Sequence, residues 1–274
     1  MKRETYYQGK LIFVTGGSEG IGKSIAVLLT QQGADVVIAS RHFQKCEAAL
    51  QEMERVRLFS RQRLAYRIFD VISYSETEGC LQEMVKSFGV PDFLIHCAGT
   101  SHPGYLEEVP MKEHEQMVDI NLMGTIRVNK AMLPFFQQKR RGHIVNVSSI
   151  AGFIGLFGYT TYCAAKYGVM GFSEALRREV KPYGIKVSVL CPPNTRTPGL
   201  ESENRYKPAE VLATEEKIKV LEPEEVAQAL IKALPQGKKV IIPTRDGILS
   251  YYLSRYAPWL LDFFVKRPKA TTKE

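Results

Sequence analysis

The sequence predicts an α/β fold: one doubly wound domain with a mainly parallel sheet of about seven strands, covered by helices on both faces. Apolar runs of four to six residues alternate with amphipathic stretches of ten or more. That order is what βαβ units with right-handed crossovers produce. The apolar runs are nearly continuous, as in strands buried on both faces. With 274 residues, 45% hydrophobic and 24% charged, the chain can bury a core without disulfide or metal staples.

The elements follow in order. Lys10–Thr15 (KLIFVT) reads as a buried strand, and Gly20–Gln32 has helical apolar spacing. Asp35–Ser40 (DVVIAS) is a second strand, Phe43–Phe59 a charged amphipathic helix and Leu64–Phe69 a third strand. Ser75–Phe88 is helical, Asp92–Cys97 (DFLIHC) is the fourth strand, and one long helix is expected over Met111–Gln138. His143–Ser148 (HIVNVS) is the fifth strand, Thr160–Tyr183 a helix ending near Gly184, and Ile185–Cys191 the sixth strand. Pro223–Leu234 is helical and Lys239–Ile242 gives a short seventh strand. No repeat, low-complexity tract or linker divides the chain. The domain is placed at residues 1–246, with an aromatic and basic segment at 247–274.

Several function classes recede on composition. The first ten residues are polar and charged, with no apolar core for a signal peptide or membrane span. Cys46, Cys80, Cys97, Cys163 and Cys191 are scattered without a C-x-x-C pair and read as free thiols in a reducing compartment. The five histidines are dispersed too, so no metal site is expected. Net charge is +8, but the excess is local: Lys238–Glu274 holds eight Lys/Arg against three acids, beside aromatic and aliphatic residues. No nucleic-acid-binding motif accompanies it, so nucleic acid is not an expected partner.

The chemistry begins at Thr15-Gly16-Gly17-Ser18-Glu19-Gly20-Ile21-Gly22, between the first strand and the first helix. Glycine permits a tight turn and close backbone approach, and a helix N-terminus adds partial positive charge, so the loop suits a pyrophosphate. At the end of the second strand stands Ser40-Arg41, with Lys45 four residues on. An NAD site places a carboxylate there, whereas two cations suit a 2′-phosphate, so NADPH is the expected cofactor. Tyr162 and Lys166 are spaced i, i+4, on one face of a helix. A tyrosine pKa near 10 is too high for easy proton exchange at neutral pH, and a nearby ammonium is expected to lower it. A phenol so placed is a general acid/base for a carbonyl/alcohol pair. Ser149 lies thirteen residues before Tyr162. Its hydroxyl suits the substrate oxygen, although the adjacent Ser148 leaves open which one faces the site.

These motifs, in this order and near these intervals, resemble the short-chain dehydrogenases/reductases, which have a Rossmann fold. The resemblance implies an adenine-edge role for Asp70 with Val71, and packing of Ala98 and Gly99 beneath the adenosine. It implies that Asn121 holds a water relaying protons to Lys166. It also implies that the Pro192–Gly199 loop, through Pro192, Thr195 and Thr197, meets the nicotinamide carboxamide and the phosphates. Two stretches are narrower: SIAGFIGLFGYTTYCAAK (149–166) and EVKPYGIKVSVLCPPNTRTPGLESENRYKP (179–208). They resemble the 3-ketodihydrosphingosine reductase branch, implying NADPH-dependent reduction of 3-ketosphinganine, a long-chain lipid ketone, to sphinganine. That branch's animal members carry an apolar N-terminal anchor, which residues 1–10 do not resemble. A reductase of another lipid ketone or alcohol, such as a steroid or retinoid, shares every catalytic residue. A non-catalytic dinucleotide sensor or scaffold is the reading from another class.

Residues 199–221 are charged and poor in strand signals, and are placed to form a lid. Glu201 and Glu203 there suit an amine-bearing substrate, but are first expected to be solvated. The stretch 247–269 holds the single tryptophan and aromatic residues beside Lys and Arg, interrupted by Pro258. It suits peripheral contact with a membrane interface rather than a span, on the cytosolic face and, in a eukaryote, the endoplasmic reticulum. The resemblance further implies a homo-oligomer, dimer or tetramer, built through the helices at 111–138 and 160–183.

Overall fold

The computed structural model describes residues 6–215 and 218–260. Among them, seven strands pair into one parallel sheet in the order β3-β2-β1-β4-β5-β6-β7. The strands are β1 (Leu11–Thr15), β2 (Asp35–Ser40), β3 (Leu64–Ile68), β4 (Phe93–His96), β5 (Gly142–Val147), β6 (Ile185–Leu190) and β7 (Val240–Ile241). The interleaved helices are α1 (Gly20–Gln31), α2 (Phe43–Arg55), α3 (Tyr74–Phe88), α4 (Met111–Val118), α5 (Gly124–Lys139), α6 (Thr160–Glu179), α7 (Pro198–Glu203), α8 (Ala209–Glu215), α9 (Pro223–Ala233) and α10 (Arg245–Tyr256).

The pleat divides each central strand between two cores. Ile12 and Val14 of β1 join Val36 and Ile38 of β2 under α1, α2 and α9, through Ile25, Leu29, Met53, Val226 and Leu230. Leu11 and Phe13 face the other way, with Val37 and Leu94, against α3, α5 and α6 through Leu81, Met84, Met132, Phe136 and Leu176. Alternate residues of one strand thus feed opposite cores, which is why the sheet reads as continuous apolar runs. The strand order reverses between β1 and β4, and the carboxyl ends of strands at such a switch point open a crevice for a ligand.

One expected element is divided. In place of a single helix over 111–138, a π-helical turn at Asp119–Met123 separates α4 from α5. Such an insertion is a feature of functional sites. Here it rotates Asn121 into complete burial beside the cleft. The expected lid contains two short helices, α7 and α8, and its two ends are brought together by a parallel bridge between Thr195 and Leu221. α10 packs Tyr251 and Leu253 on Phe153 and Ile154 of the β5–α6 connection, and ends before Pro258. No helix among the described residues is long and apolar enough to cross a membrane. Of the 247–274 segment, residues 261–274 lie outside the described residues.

Candidate active site

A cleft of about 550 Å³ runs over the carboxyl ends of the central strands, from Arg41 and Lys45 at one end to Tyr159, Leu200 and Glu203 at the other. Its floor is made where the loop after β1 touches the loop after β4. A Cβ on Gly16, where φ is +66°, would lie 2.6 Å from the Ala98 backbone nitrogen. A Cβ on Gly22 would lie 2.1 Å from the Gly16 carbonyl oxygen. Only glycine fits at either position, and the cradle left by their bare backbone adjoins the first turn of α1. An anion there meets free N–H groups and the positive end of the helix dipole. Ser18, Glu19, Gly20 and Ile21 line the same wall.

At the Arg41 end of the cleft stand all the residues expected to meet an adenosine. Arg41, Lys45, Asp70, Val71, Ala98 and Gly99 all line the cleft. Lys45 pairs with Glu19 at 2.6 Å and Arg41 approaches Asp70 at 3.7 Å. Both cations are about half exposed, and pairs so solvated are worth roughly 0–1 kcal/mol. A phosphate can therefore draw them away at little cost. Asp70 also accepts a hydrogen bond from the Ile72 backbone N–H at 3.1 Å, closing the turn after β3.

The two adjacent serines separate cleanly. Ser148 is buried, and its hydroxyl donates to the Lys166 carbonyl at 2.9 Å, bracing α6 against the end of β5. Ser149 Oγ accepts from the Ala151 N–H at 3.2 Å and hydrogen-bonds Tyr162. Tyr162 and Lys166 both line the cleft from α6. Lys166 is buried, with Nζ donating to the Val147 carbonyl at 3.2 Å and standing 5.6 Å from the Tyr162 ring centre. Burial pulls its ammonium down to about 8, opposed by the Cys97 and Cys191 thiols and by Glu203.

The Tyr162 phenol behaves differently from expectation. Burial, and then the Glu203 carboxylate, push its pKa up, while the Ser149 hydrogen bond pulls it down. The i, i+4 spacing brings the lysine near, but removal from water outweighs that proximity. Asn121 spends its side chain on the backbone: Nδ2 donates to the Thr100 and Met117 carbonyls, and Oδ1 accepts from the Thr100 N–H. It thereby holds the loop after β4 against the π-helical turn. A Cβ on Gly99 would lie 2.8 Å from Asn121 Oδ1 and 3.4 Å from Lys166 Nζ, so the three groups converge.

Pro192, Thr195 and Thr197 line the opposite wall. The Pro192 carbonyl accepts from the Ile150 N–H at 3.0 Å, coupling this loop to the serine turn. Thr195 Oγ1 donates to the Pro193 carbonyl. Thr197 Oγ1 caps α7 through the Leu200 N–H, and the Thr197 methyl lies 3.0 Å from where a Gly20 Cβ would be. Both hydroxyls thus serve the shape of the loop.

The lid adds groups that the motifs do not announce. Lys207 is buried and pairs with Glu215 at 2.5 Å, and the Tyr159 hydroxyl donates to the same carboxylate at 3.0 Å. Tyr206 stacks on His102, ring centres 4.2 Å apart, pinning the lid to the loop after β4. Glu201 is exposed, as a solvated lid charge is expected to be, whereas Glu203 lines the cleft. Tyr159 had a weak sequence signal, sitting three residues before Tyr162. The Lys207–Glu215 pair had none, because it depends on how the lid folds back.

Comparison with known proteins agrees with this geometry. The short chain dehydrogenase family model matches residues 10–208. A 3-ketodihydrosphingosine reductase of Mus musculus is 38% identical over 230 residues, covering 84% of this chain and 69% of that protein. A 3-dehydrosphinganine reductase of Danio rerio is 39% identical over the same shares. Among solved structures, an actinorhodin polyketide ketoreductase with NADPH superposes with a TM-score of 0.76 at 27% identity, over 85% of this chain and 94% of that one.

Proposed function

Because this chain belongs to the short-chain dehydrogenase family, we propose that it is an NADPH-dependent oxidoreductase reducing the 3-keto group of 3-ketosphinganine to sphinganine. The observation that carries the reading is the convergence of Ser149, Tyr162 and Lys166 in one cleft with the glycine cradle. The relatives that carry the 3-ketodihydrosphingosine reductase name support the substrate.

A nicotinamide dinucleotide fits the residues present: Gly16, Gly20 and Gly22 leave bare backbone for its pyrophosphate, and Arg41 and Lys45 suit a 2′-phosphate. Bound there, the reduced cofactor supplies hydride to the carbonyl carbon. The chain's own groups manage the oxygen. Ser149 and Tyr162 direct hydroxyls at the substrate oxygen and lower the cost of its developing charge. Tyr162 then gives up its proton, which its raised pKa keeps in place at neutral pH. The Lys166 ammonium faces the phenolate left behind and returns it towards the neutral phenol. Asn121 holds the loop that carries Gly99 against Lys166.

Two further parts of this reading concern assembly. Ile248, Leu249, Tyr252, Tyr256 and Trp259 are exposed along and just beyond α10, with Arg245 and Arg255 nearby. Such a face suits peripheral contact with a membrane interface through 247–269, on the cytosolic side, and a long-chain substrate suits that contact. Met111, Val118, Met123 and Tyr167 are exposed on α4, the π-helical turn and α6, and support a homo-oligomer through those helices.

The test of the reaction is NADPH oxidation by purified protein with 3-ketosphinganine, with NADH as control. Ketone-dependent oxidation that prefers NADPH at least about tenfold is expected. No ketone-dependent oxidation with either cofactor would refute the reading. For the membrane contact, liposome co-sedimentation should fall when residues 247–274 are deleted.

A further inference from the structure

Proton transfer to a ketone accounts for Ser149, Tyr162 and Lys166, but not for a carboxylate in the same cleft. Glu203 ends α7 and lines the cleft with all three. Its neighbour Glu215 is fully engaged, taking the Lys207 ammonium and the Tyr159 hydroxyl. Lys207 has only 1% of its side chain exposed, so its charge is committed to that pair. Among the described residues, Glu203 makes no ion pair within 4 Å and its carboxylate accepts no hydrogen bond from a side chain. Burial raises its carboxyl to about 7, with Lys207 and Lys166 drawing it down and Glu215 pushing it up. An acid in that position is costly to ionise, and the two lysines act on it without a close ion pair or hydrogen bond.

The groups facing it define what would offset it. Glu203 lines the same cleft as Ser149, Tyr159, Tyr162 and Lys166, and its charge is felt at Tyr162, Tyr159 and Lys166. A ligand cation that pairs with Glu203 is then carried by the same molecule whose carbonyl meets Tyr162 and Ser149 in that cleft. We propose that Glu203 is the specificity-determining residue of this cleft, pairing with an ammonium group on the carbon next to the ketone, so that the site selects α-amino ketones. This deepens the reading of the reaction above and rests on it, since 3-ketosphinganine carries such an amine.

The pairing also reaches the proton donor. The uncompensated Glu203 carboxylate raises the Tyr162 phenol and makes it a poorer acid. An ammonium on Glu203 cancels that field and lets Tyr162 give up its proton more readily. The amine is then read twice, once in binding and once in the proton step.

The experiment compares 3-ketosphinganine with its 2-deamino analogue, in the intact enzyme with NADPH, for wild type, Glu203→Gln and Glu203→Asp. In wild type, kcat/KM should favour the amino ketone. In Glu203→Gln the amino ketone should lose about 10- to 100-fold, the range for one charge-assisted hydrogen bond lost from a partly buried site. The deamino ketone should be unchanged or faster, and Glu203→Asp should restore part of the preference. An unchanged preference in Glu203→Gln, or an equal loss on both substrates, overturns the proposal. Wild-type protein that reduces neither ketone instead overturns the reading of the reaction, which keeps the two failures apart.

Discussion

Replacing Lys166 with methionine should make the cofactor-free protein more stable while abolishing turnover. Burial takes the Lys166 ammonium from 10.5 to about 8. At 1.36 kcal/mol per pKa unit, that is about 3 kcal/mol of penalty carried by the folded state whenever the group is protonated. Methionine fills nearly the same volume and carries no charge. Against the gain stands the hydrogen bond from Nζ to the Val147 carbonyl, whose loss costs about 1–2 kcal/mol. The net stabilisation is about 1–2 kcal/mol at pH 7, or roughly 2–6 °C in Tm for a chain of this size. The pH dependence is the sharper readout. Below about 8 the lysine is protonated in both folded and unfolded chains, so the penalty is complete. Between 8 and 10.5 the folded protein releases the proton while the unfolded chain keeps it, so wild-type stability climbs relative to the variant. Above 10.5 the penalty is gone and only the lost hydrogen bond separates the two. Urea unfolding of both proteins at pH 7, 9 and 10.5 measures this difference, with titrations away from the cleft cancelling. A variant that is less stable at pH 7, by an amount that stays constant to pH 10.5, would refute the account of Lys166 as a buried charge.

Other changes divide the cleft by role. Tyr162→Phe should lower kcat by about 10³-fold and Ser149→Ala by about 10²-fold, with NADPH affinity by fluorescence titration unchanged. Ser148→Ala, by contrast, should cost about 1 kcal/mol of stability through the lost hydrogen bond to the Lys166 carbonyl, and spare kcat. Arg41→Asp should raise the KM for NADPH by about 10- to 100-fold and leave or improve that for NADH, read from initial rates with each cofactor. Gly22→Ala should abolish dinucleotide binding, because the new Cβ meets the Gly16 carbonyl at 2.1 Å; titration showing wild-type affinity would mean that the cradle is not the binding loop.

Much of the site lies open in the sequence because its parts are local. The glycine loop is eight consecutive residues between a strand and a helix, and each glycine answers to a contact within that unit or with one neighbouring loop. Tyr162 and Lys166 share a helix face by periodicity alone. The apolar runs place every strand to within one or two residues, most plainly β1, β2, β4, β5 and β6, whose burial on both faces leaves a continuous signal. What escapes reading is what depends on distant segments. The π-helical turn at Asp119–Met123 lies inside a stretch with good helical spacing, and one extra residue per turn leaves no compositional trace. The lid is opaque for the same reason. Glu201 and Glu203 are two residues apart in one charged run, yet one is exposed and the other lines the cleft. Both belong to α7, where positions two apart point about 200° apart, so the face that α7 turns to the cleft decides which.

The phenol shows how far proximity alone can mislead. Spacing on a helix tells that an ammonium is near Tyr162, and nearness to a cation argues for a lower pKa. It does not tell how much water both groups lose. In the folded cleft both are buried, so the charged form of each is disfavoured: the tyrosine moves up and the lysine moves down. These opposite movements separate two values that nearly match in water, so the phenol holds its proton more firmly and the lysine holds its own less firmly. They also favour one direction of use. A reductase must begin with the proton on the phenol, and a raised pKa guarantees that at neutral pH. It must then stabilise a phenolate for the brief interval after transfer, which an ammonium held beside it by the Val147 carbonyl does. Burial therefore prepares the acid and positions its counter-charge in a single arrangement, and neither effect follows from the spacing of the two residues.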